Sequence, residues 1–225
     1  MKKYILTYII LVFAYTAIQA QNNEWKHNQI KFSPLRTLNS YAPGLELSYQ
    51  RNYGRFASQI TGAYVTDVFG IDVRENIRGY RYGFEQKYFI VPKRVRMAKI
   101  MNAFFSVGFN YDDLHQDISS LTFVPIKNGE RDYENSYITD CILLNKWLSV
   151  NIRYGMEFHF KNLILEWGAG IGVSNKNNQY LNKKNPTDER DSRGYEGFIP
   201  FLFIENEGKY TTINIPVSLK VGYSF

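Results

Sequence analysis

The sequence predicts an all-β fold, an eight-stranded antiparallel up-and-down transmembrane β-barrel, and three observations predict it. Apolar residues recur at every second position through most of the chain. Three of the segments between these alternating runs are tight or short and fall on one side, and the two long polar ones fall on the other. Aromatic residues make up 16% of the 225, with 18 Tyr and 16 Phe, although the chain is polar on average. Alternate side chains of a strand point to opposite faces. A chain with one greasy and one polar face per strand suits a wall between lipid and water.

The first twenty residues read as a processing segment. Lys2 and Lys3 precede an apolar run from Tyr4 to Ile18, and Ala20 offers a small residue before Gln21-Asn22-Asn23. That is the layout of a secretory signal peptide, too short for the roughly 20 apolar residues of a spanning helix. Residues 1–20 are therefore expected to be a signal peptide and residues 21–225 the barrel. The formal charge of +6 includes Lys2 and Lys3. No basic run with interleaved aromatics suggests a nucleic-acid groove. Cys141 is the single cysteine, which excludes an intramolecular disulfide and a Cys-based metal site.

Eight strands follow. The first, from Ile30 to Leu38, is interrupted by Pro34, which cannot donate to a ladder and predicts a bulge. In the second, Leu45, Leu47 and Tyr49 oppose Glu46, Ser48 and Gln50. The third, from Phe56 to Asp67, alternates weakly and contains Gly62. In the fourth, Tyr80, Tyr82, Phe84 and Tyr88 oppose Arg81, Gly83, Glu85 and Lys87. The fifth sets Phe105, Val107, Phe109 and Tyr111 against Ser106, Gly108 and Asn110. The sixth sets Leu148, Val150, Ile152, Tyr154, Met156, Phe158 and Phe160 against Ser149, Asn151, Arg153, Gly155, Glu157 and His159. The seventh sets Leu163, Leu165, Trp167, Ala169, Ile171 and Val173 against Ile164, Glu166, Gly168, Gly170, Gly172 and Ser174. The last runs Ile213, Ile215, Val217, Leu219, Val221, Tyr223 and Phe225 on its apolar face.

The connections fit a membrane. Asn52-Tyr53-Gly54-Arg55 and Phe160-Lys161-Asn162 read as tight turns, and residues 91–99 as a short basic link. With the N-terminus in the periplasm these fall on the periplasmic side, and the long polar segments 112–140 and 175–209 fall outside. That is the outer-membrane arrangement. Asn128-Gly129, between two β-prone runs, is a strong hairpin signal; residues 198–204 could extend the last hairpin or fold over the mouth. Aromatics gather near both ends of the strands, with Phe56, Tyr88 and Phe160 at one and Tyr64, Tyr80 and Tyr111 at the other.

The polar faces carry Glu46, Arg81, Glu85, Lys87, Arg153, Glu157, Glu166 and Lys220, equal numbers of each sign. An eight-stranded interior is about wide enough for side chains to fill, and buried charges need partners. A salt-bridge network that plugs the lumen is expected, with a polar conduit for small solutes as the alternative. Catalysis finds no support. His27 precedes the first strand and His159 is a polar filler. His115 lies in Asp112-Asp113-Leu114-His115-Gln116-Asp117, which could gather a metal but specifies no ligand geometry, so a solvated loop tip is the expectation. No His-x-Ser pair and no nucleophile with base and orienting acid can be named. No cofactor and no metal are expected.

The end Val221-Gly222-Tyr223-Ser224-Phe225 resembles the terminal signature by which outer-membrane barrels are recognised for assembly. Residues 29–35 and 45–51 resemble the opening of small outer-membrane β-barrel proteins of the OmpA/OmpX-like kind, with Gln50 where similar families often carry Glu. The resemblance implies fold, outer-membrane location and, through Val221, Tyr223 and Phe225, contact with the barrel-assembly machinery. It implies no activity, because this superfold carries many functions. The expected partners are outer-membrane lipid, that machinery and an unidentified envelope protein. The expected role is structural or surface-binding, with a narrow channel or a lipid-modifying enzyme as alternatives.

Overall fold

The computed structural model describes residues 28–37, 44–66, 76–90, 100–191 and 207–225. The segments 1–20, 91–99 and 198–204 singled out above lie outside the described residues.

The alternating segments form strands β1 (Asn28–Phe32), β2 (Gly44–Tyr53), β3 (Phe56–Val65), β4 (Ile77–Phe89) and β5 (Met101–Val124). After a small hairpin of β6 (Ile126–Lys127) and β7 (Glu130–Arg131) come β8 (Tyr137–Phe160), β9 (Leu163–Leu181), the short β10 (Glu189–Arg190), β11 (Gly208–Asn214) and β12 (Val217–Ser224). All pairings are antiparallel. The sheet closes into a ring through eight strands, in the order β1, β2, β3, β4, β5, β8, β9, β12 and back to β1. Closure rests on Gln29 to Phe32 against Ser224 to Val221. Phe225 N–H donates to Asn28 O at 3.0 Å just below.

The inside and outside of the ring follow the sequence alternation. Odd residues of β2 and even residues of β3 and β4 are turned outward, while their neighbours are buried. Outward positions carry Leu47, Ile60, Phe105, Val107, Ile152 and Ile171, each more than two-fifths exposed. Inward positions carry Lys31, Gln50, Lys87, Glu157 and Glu166, each 1% exposed or less. Cross-strand aromatic pairs ring both ends, among them Phe56–Tyr88 at 5.3 Å and Tyr64–Tyr80 at 5.4 Å between centroids.

Two expectations are corrected. Pro34 does not bulge a long first strand; β1 stops at Phe32 and Pro34 opens a helical turn, Pro34–Thr37. Proline suits the first turn of a helix, where its missing N–H is no loss. Residues 112–140 and 175–209 are not simply loops, because β5 and β8 run 24 residues each and β9 runs 19. Lys176 to Leu181 pair with β8, Lys176 to Asn178 also pair with β11, and Glu189-Arg190 add to the edge of β5.

The extension was hidden because the faces exchange character, not because alternation stops. Above Asp112 the outward residues of β5 become Asp113, His115 and Asp117. The inward side gains large apolar residues among its polar ones, with Leu114, Phe123, Leu143 and Tyr180 at most 2% exposed beside buried Gln116, Asn145 and Asn178. Ser120, with φ 59°, lies in a bulge between Ile118 and Leu121. The extra residue brings both apolar side chains to the same face, where Leu121 joins Phe123, Cys141, Leu143 and Tyr180 with Ile118 alongside. Asn128 and Gly129 both take positive φ at the tip of the β6–β7 hairpin, as a type I′ turn requires. The segment from β9 to β10 is held across this part: Tyr137 donates to Asp188 Oδ2 at 2.6 Å, and Lys183 Nζ donates to Glu207 Oε2 at 2.7 Å.

Candidate functional site

Strand pairing places Glu157 on β8 directly opposite Glu166 on β9. Like charges opposite one another in a ladder repel, and here both side chains are fully buried. Two ammonium groups answer them. Lys31 of β1 donates to Glu157 Oε1 at 2.7 Å, to Glu166 Oε2 and to Gln50 Oε1 at 2.8 Å. An ammonium has three protons, so Lys31 is saturated. Lys87 of β4 reaches across the interior to Glu166 Oε2 at 2.7 Å, Gln59 Oε1 at 2.9 Å and Gln50 Oε1 at 2.9 Å. Its Nζ also lies 4.6 Å from the centre of the Phe104 ring, a cation–π distance.

Gln50 is the hub of this cluster. Its carbonyl oxygen accepts from both lysines, while its amide nitrogen donates to Glu157 Oε1 and Asn52 Oδ1, both at 2.9 Å. A neutral amide here keeps two cations against two carboxylates. His159 closes the lower side, its Nε2 3.2 Å from Glu157 Oε2.

A second cluster lies above the first. Arg153 Nη1 donates to Glu85 Oε2 at 3.1 Å, its Nη2 donates to Ser218 Oγ, and Ser106 Oγ donates to Glu85 Oε1 at 2.5 Å. The inward glycines of β9 make room for Arg153. A Cβ on Gly170 would stand 2.6 Å from Arg153 Cγ and 2.2 Å from Ile152 O, so no larger residue fits. Glu46, Glu85, Arg153 and Lys220 line a cavity of about 40 Å³, enough for a water or so. Higher still, Arg81 and its cross-strand partner Asp112 form a two-pronged pair, with Nη2 to Oδ2 at 3.1 Å.

All eight charges named from the sequence therefore face inward, in three tiers: Lys87, Glu157 and Glu166; Glu85, Arg153, Glu46 and Lys220; and Arg81. Lys220 is buried directly opposite Glu166 in the β9–β12 ladder. Sequence reasoning missed Lys31, Asp112, Gln50 and Gln59. Lys31 alternates with Ile30 and Phe32 and carried the same signal as the others. Val221, Tyr223 and Phe225 share the outer face of β12 and are each close to half exposed. Asp113 and Asp117 do not both gather around His115. Asp113 lies 3.6 Å from it, while Asp117 pairs with Arg78 at 3.7 Å. Among the described residues no three metal-ligating side chains converge.

This arrangement defines a class: a closed β-ring, polar and charged within, apolar without. The chain matches no family model, no curated protein and no solved structure.

Proposed function

We propose that the protein is an exported, integral outer-membrane β-barrel of the OmpA/OmpX-like kind with a plugged lumen, serving a structural or surface-binding role in the cell envelope. The observation that carries this reading is the inversion of an ordinary globule. Lys31, Lys87, Glu157 and Glu166 are wholly inside, while Phe105, Val107, Ile152, Ile171 and Val217 are outside. Water would oppose both placements; a lipid surround favours them. On β5 the apolar outer face runs from Met101 to Tyr111, ten steps or about 33 Å of strand. At the roughly 40° tilt of such barrels this spans about 25 Å, the height of an outer-membrane apolar band. The exchange of faces above Asp112 then marks the return to water. The sheet of β5, β8, β9 and β11 beyond it becomes the surface presented to a partner.

Saturated lysines, full burial and a cavity of only about 40 Å³ favour a plug over a conduit. The test has two parts. A closed barrel satisfies its backbone internally, so the protein should stay folded in cold SDS, shift in mobility on boiling and resist carbonate extraction. In planar bilayers it should produce no steady single-channel conductance. Carbonate release would overturn the membrane reading, and a steady conductance would overturn the plug.

A further inference from the structure

The outer face of β2, β3 and β4 departs from the uniform apolar wall in two adjoining places. The first is a groove of about 540 Å³ in which Ile30, Leu47, Tyr49, Ile60 and Tyr82 stand around the bare backbone of Gly62. Leu47, Gly62 and Tyr82 are neighbours in one row of the ladder. Gly62 is not explained by backbone or packing. Its φ is not in the left-handed region, and an added Cβ would meet nothing within 4 Å. A strand glycine costs stability and often marks a bulge, a bend, or a site where a ligand or another backbone approaches closely; no register shift marks a bulge here.

The second departure lies about 13 Å down the strands, four residues away at 3.3 Å each. There Asn28, Arg51, Ser58 and Gln86 are in register across four neighbouring strands and all face outward. They form a polar row above the Tyr53, Phe56 and Tyr88 row and below Tyr49 and Ile60. Tyr49 Oη donates to Asn28 Oδ1 at 2.7 Å, and Ser58 Oγ donates to Gln86 Oε1 at 2.7 Å. The guanidinium of Arg51 sits 5.8 Å over the Tyr53 ring. The row holds one charge, and it is positive. Below it Arg55 Nη1 donates to Tyr88 Oη at 3.2 Å.

We infer that this face binds one phospholipid, its acyl chain lying in the groove over Gly62 and its glycerol esters and phosphate held by the Asn28–Arg51–Ser58–Gln86 row. The inference rests on the membrane reading above. Arg51 supplies the charge complement to a phosphodiester, and the amide nitrogens of Asn28 and Gln86, whose oxygens accept from Tyr49 and Ser58, supply donors at the depth of the ester groups. The groove falls within the roughly 300–1,000 Å³ range of small-molecule sites.

The experiment uses the full barrel purified in detergent as wild type, Gly62→Leu, Arg51→Gln and Ile171→Leu, the last a control elsewhere on the apolar face. Cold-SDS mobility first establishes closure for each, independently of lipid. Phosphatidylglycerol is then titrated and bound lipid counted by native mass spectrometry. Wild type and Ile171→Leu should retain one lipid, while Arg51→Gln should bind it roughly tenfold more weakly, the loss expected for one charged hydrogen bond, and Gly62→Leu should weaken it because the new side chain occupies the groove. Equal retention in all four proteins overturns the site. A dimer abolished by Gly62→Leu, with lipid retention unchanged, assigns the groove to a second copy and overturns it as well. A wild type without a heat-modifiable form removes the membrane reading itself, and the lipid site with it.

Discussion

Replacing Lys31 by Met removes one of two buried cations facing two buried carboxylates. Glu166 would keep Lys87 at 2.7 Å and Lys220 opposite it in the ladder, while Lys87 stands 3.7 Å from Glu157. Glu157 keeps its hydrogen bond from Gln50 and loses its close counter-charge. Breaking a buried pair from one side costs about 3–5 kcal/mol, because the remaining ion stays out of water. Met keeps the length and apolar stem of Lys, so the loss measures charge rather than volume. Pairing Lys31→Met with Glu157→Gln restores neutrality and should recover up to about 3 kcal/mol, the upper range for coupled neighbours. Urea unfolding in detergent micelles, followed by the loss of the cold-SDS form, gives the midpoints. If Lys31→Met unfolds within about 0.5 kcal/mol of wild type, the range of ordinary surface substitutions, these charges are hydrated and the plug is wrong. A double variant weaker than the single one would refute the charge-balance reasoning specifically.

Three further outcomes test other parts of the molecule. Leu219→Arg puts a charge on the outer face of β12 and should cost roughly 2–4 kcal/mol near mid-membrane, read as a lowered outer-membrane level at equal expression; a normal level would move that face out of lipid. Cys141 is 2% exposed, and burial, then the nearby Asp140 carboxylate, pushes its thiol above the ordinary range; maleimide should label it only after unfolding, and rapid labelling of the native protein would mean the apolar cluster above the ring is open. Tyr137 is pushed up by burial and then by its hydrogen bond to Asp188. Its neutral form is favoured when folded, so its stabilisation is fully present below the unfolded value of about 10 and lost as pH rises through the folded value. Tyrosinate absorbance should show one late-titrating group that Tyr137→Phe abolishes.

The ring was legible because a greasy outer face repeats on strand after strand, and Ile213 to Phe225 shows the rule most plainly. The inward charges followed from the same parity, so Glu46 through Lys220 could be named without knowing their neighbours. Parity cannot say who meets whom across a lumen. Arg153 reaches Glu85 on β4, and Lys87 reaches Glu166 on β9, contacts set by closure in three dimensions. Lys31 escaped notice because Pro34 made its strand look unreliable. Asp112 escaped because it stands where the two faces trade character, which in sequence resembles the start of a loop. Gln50 and Gln59 carry no charge, and nothing in a linear reading distinguishes a hub amide from a solvated one.

The ring closes between its first and last strands, and this has a consequence for how the chain reaches its final state. Lys31 is separated from Glu157 by 126 positions and from Glu166 by 135. Contacts so distant in sequence form late, since a long loop must be closed before any contact rewards it. A sheet that has paired β2 through β9 but not yet joined its ends holds two facing carboxylates without Lys31 and without the cross-lumen reach of Lys87. Such an open sheet is electrostatically unfinished as well as unpaired at its edges. The zipping of Gln29–Phe32 onto Val221–Ser224 delivers Lys31 to both carboxylates in the same event that closes the ring. Half-closed forms are thereby penalised twice, and assembly becomes closer to all-or-none than backbone pairing alone would make it.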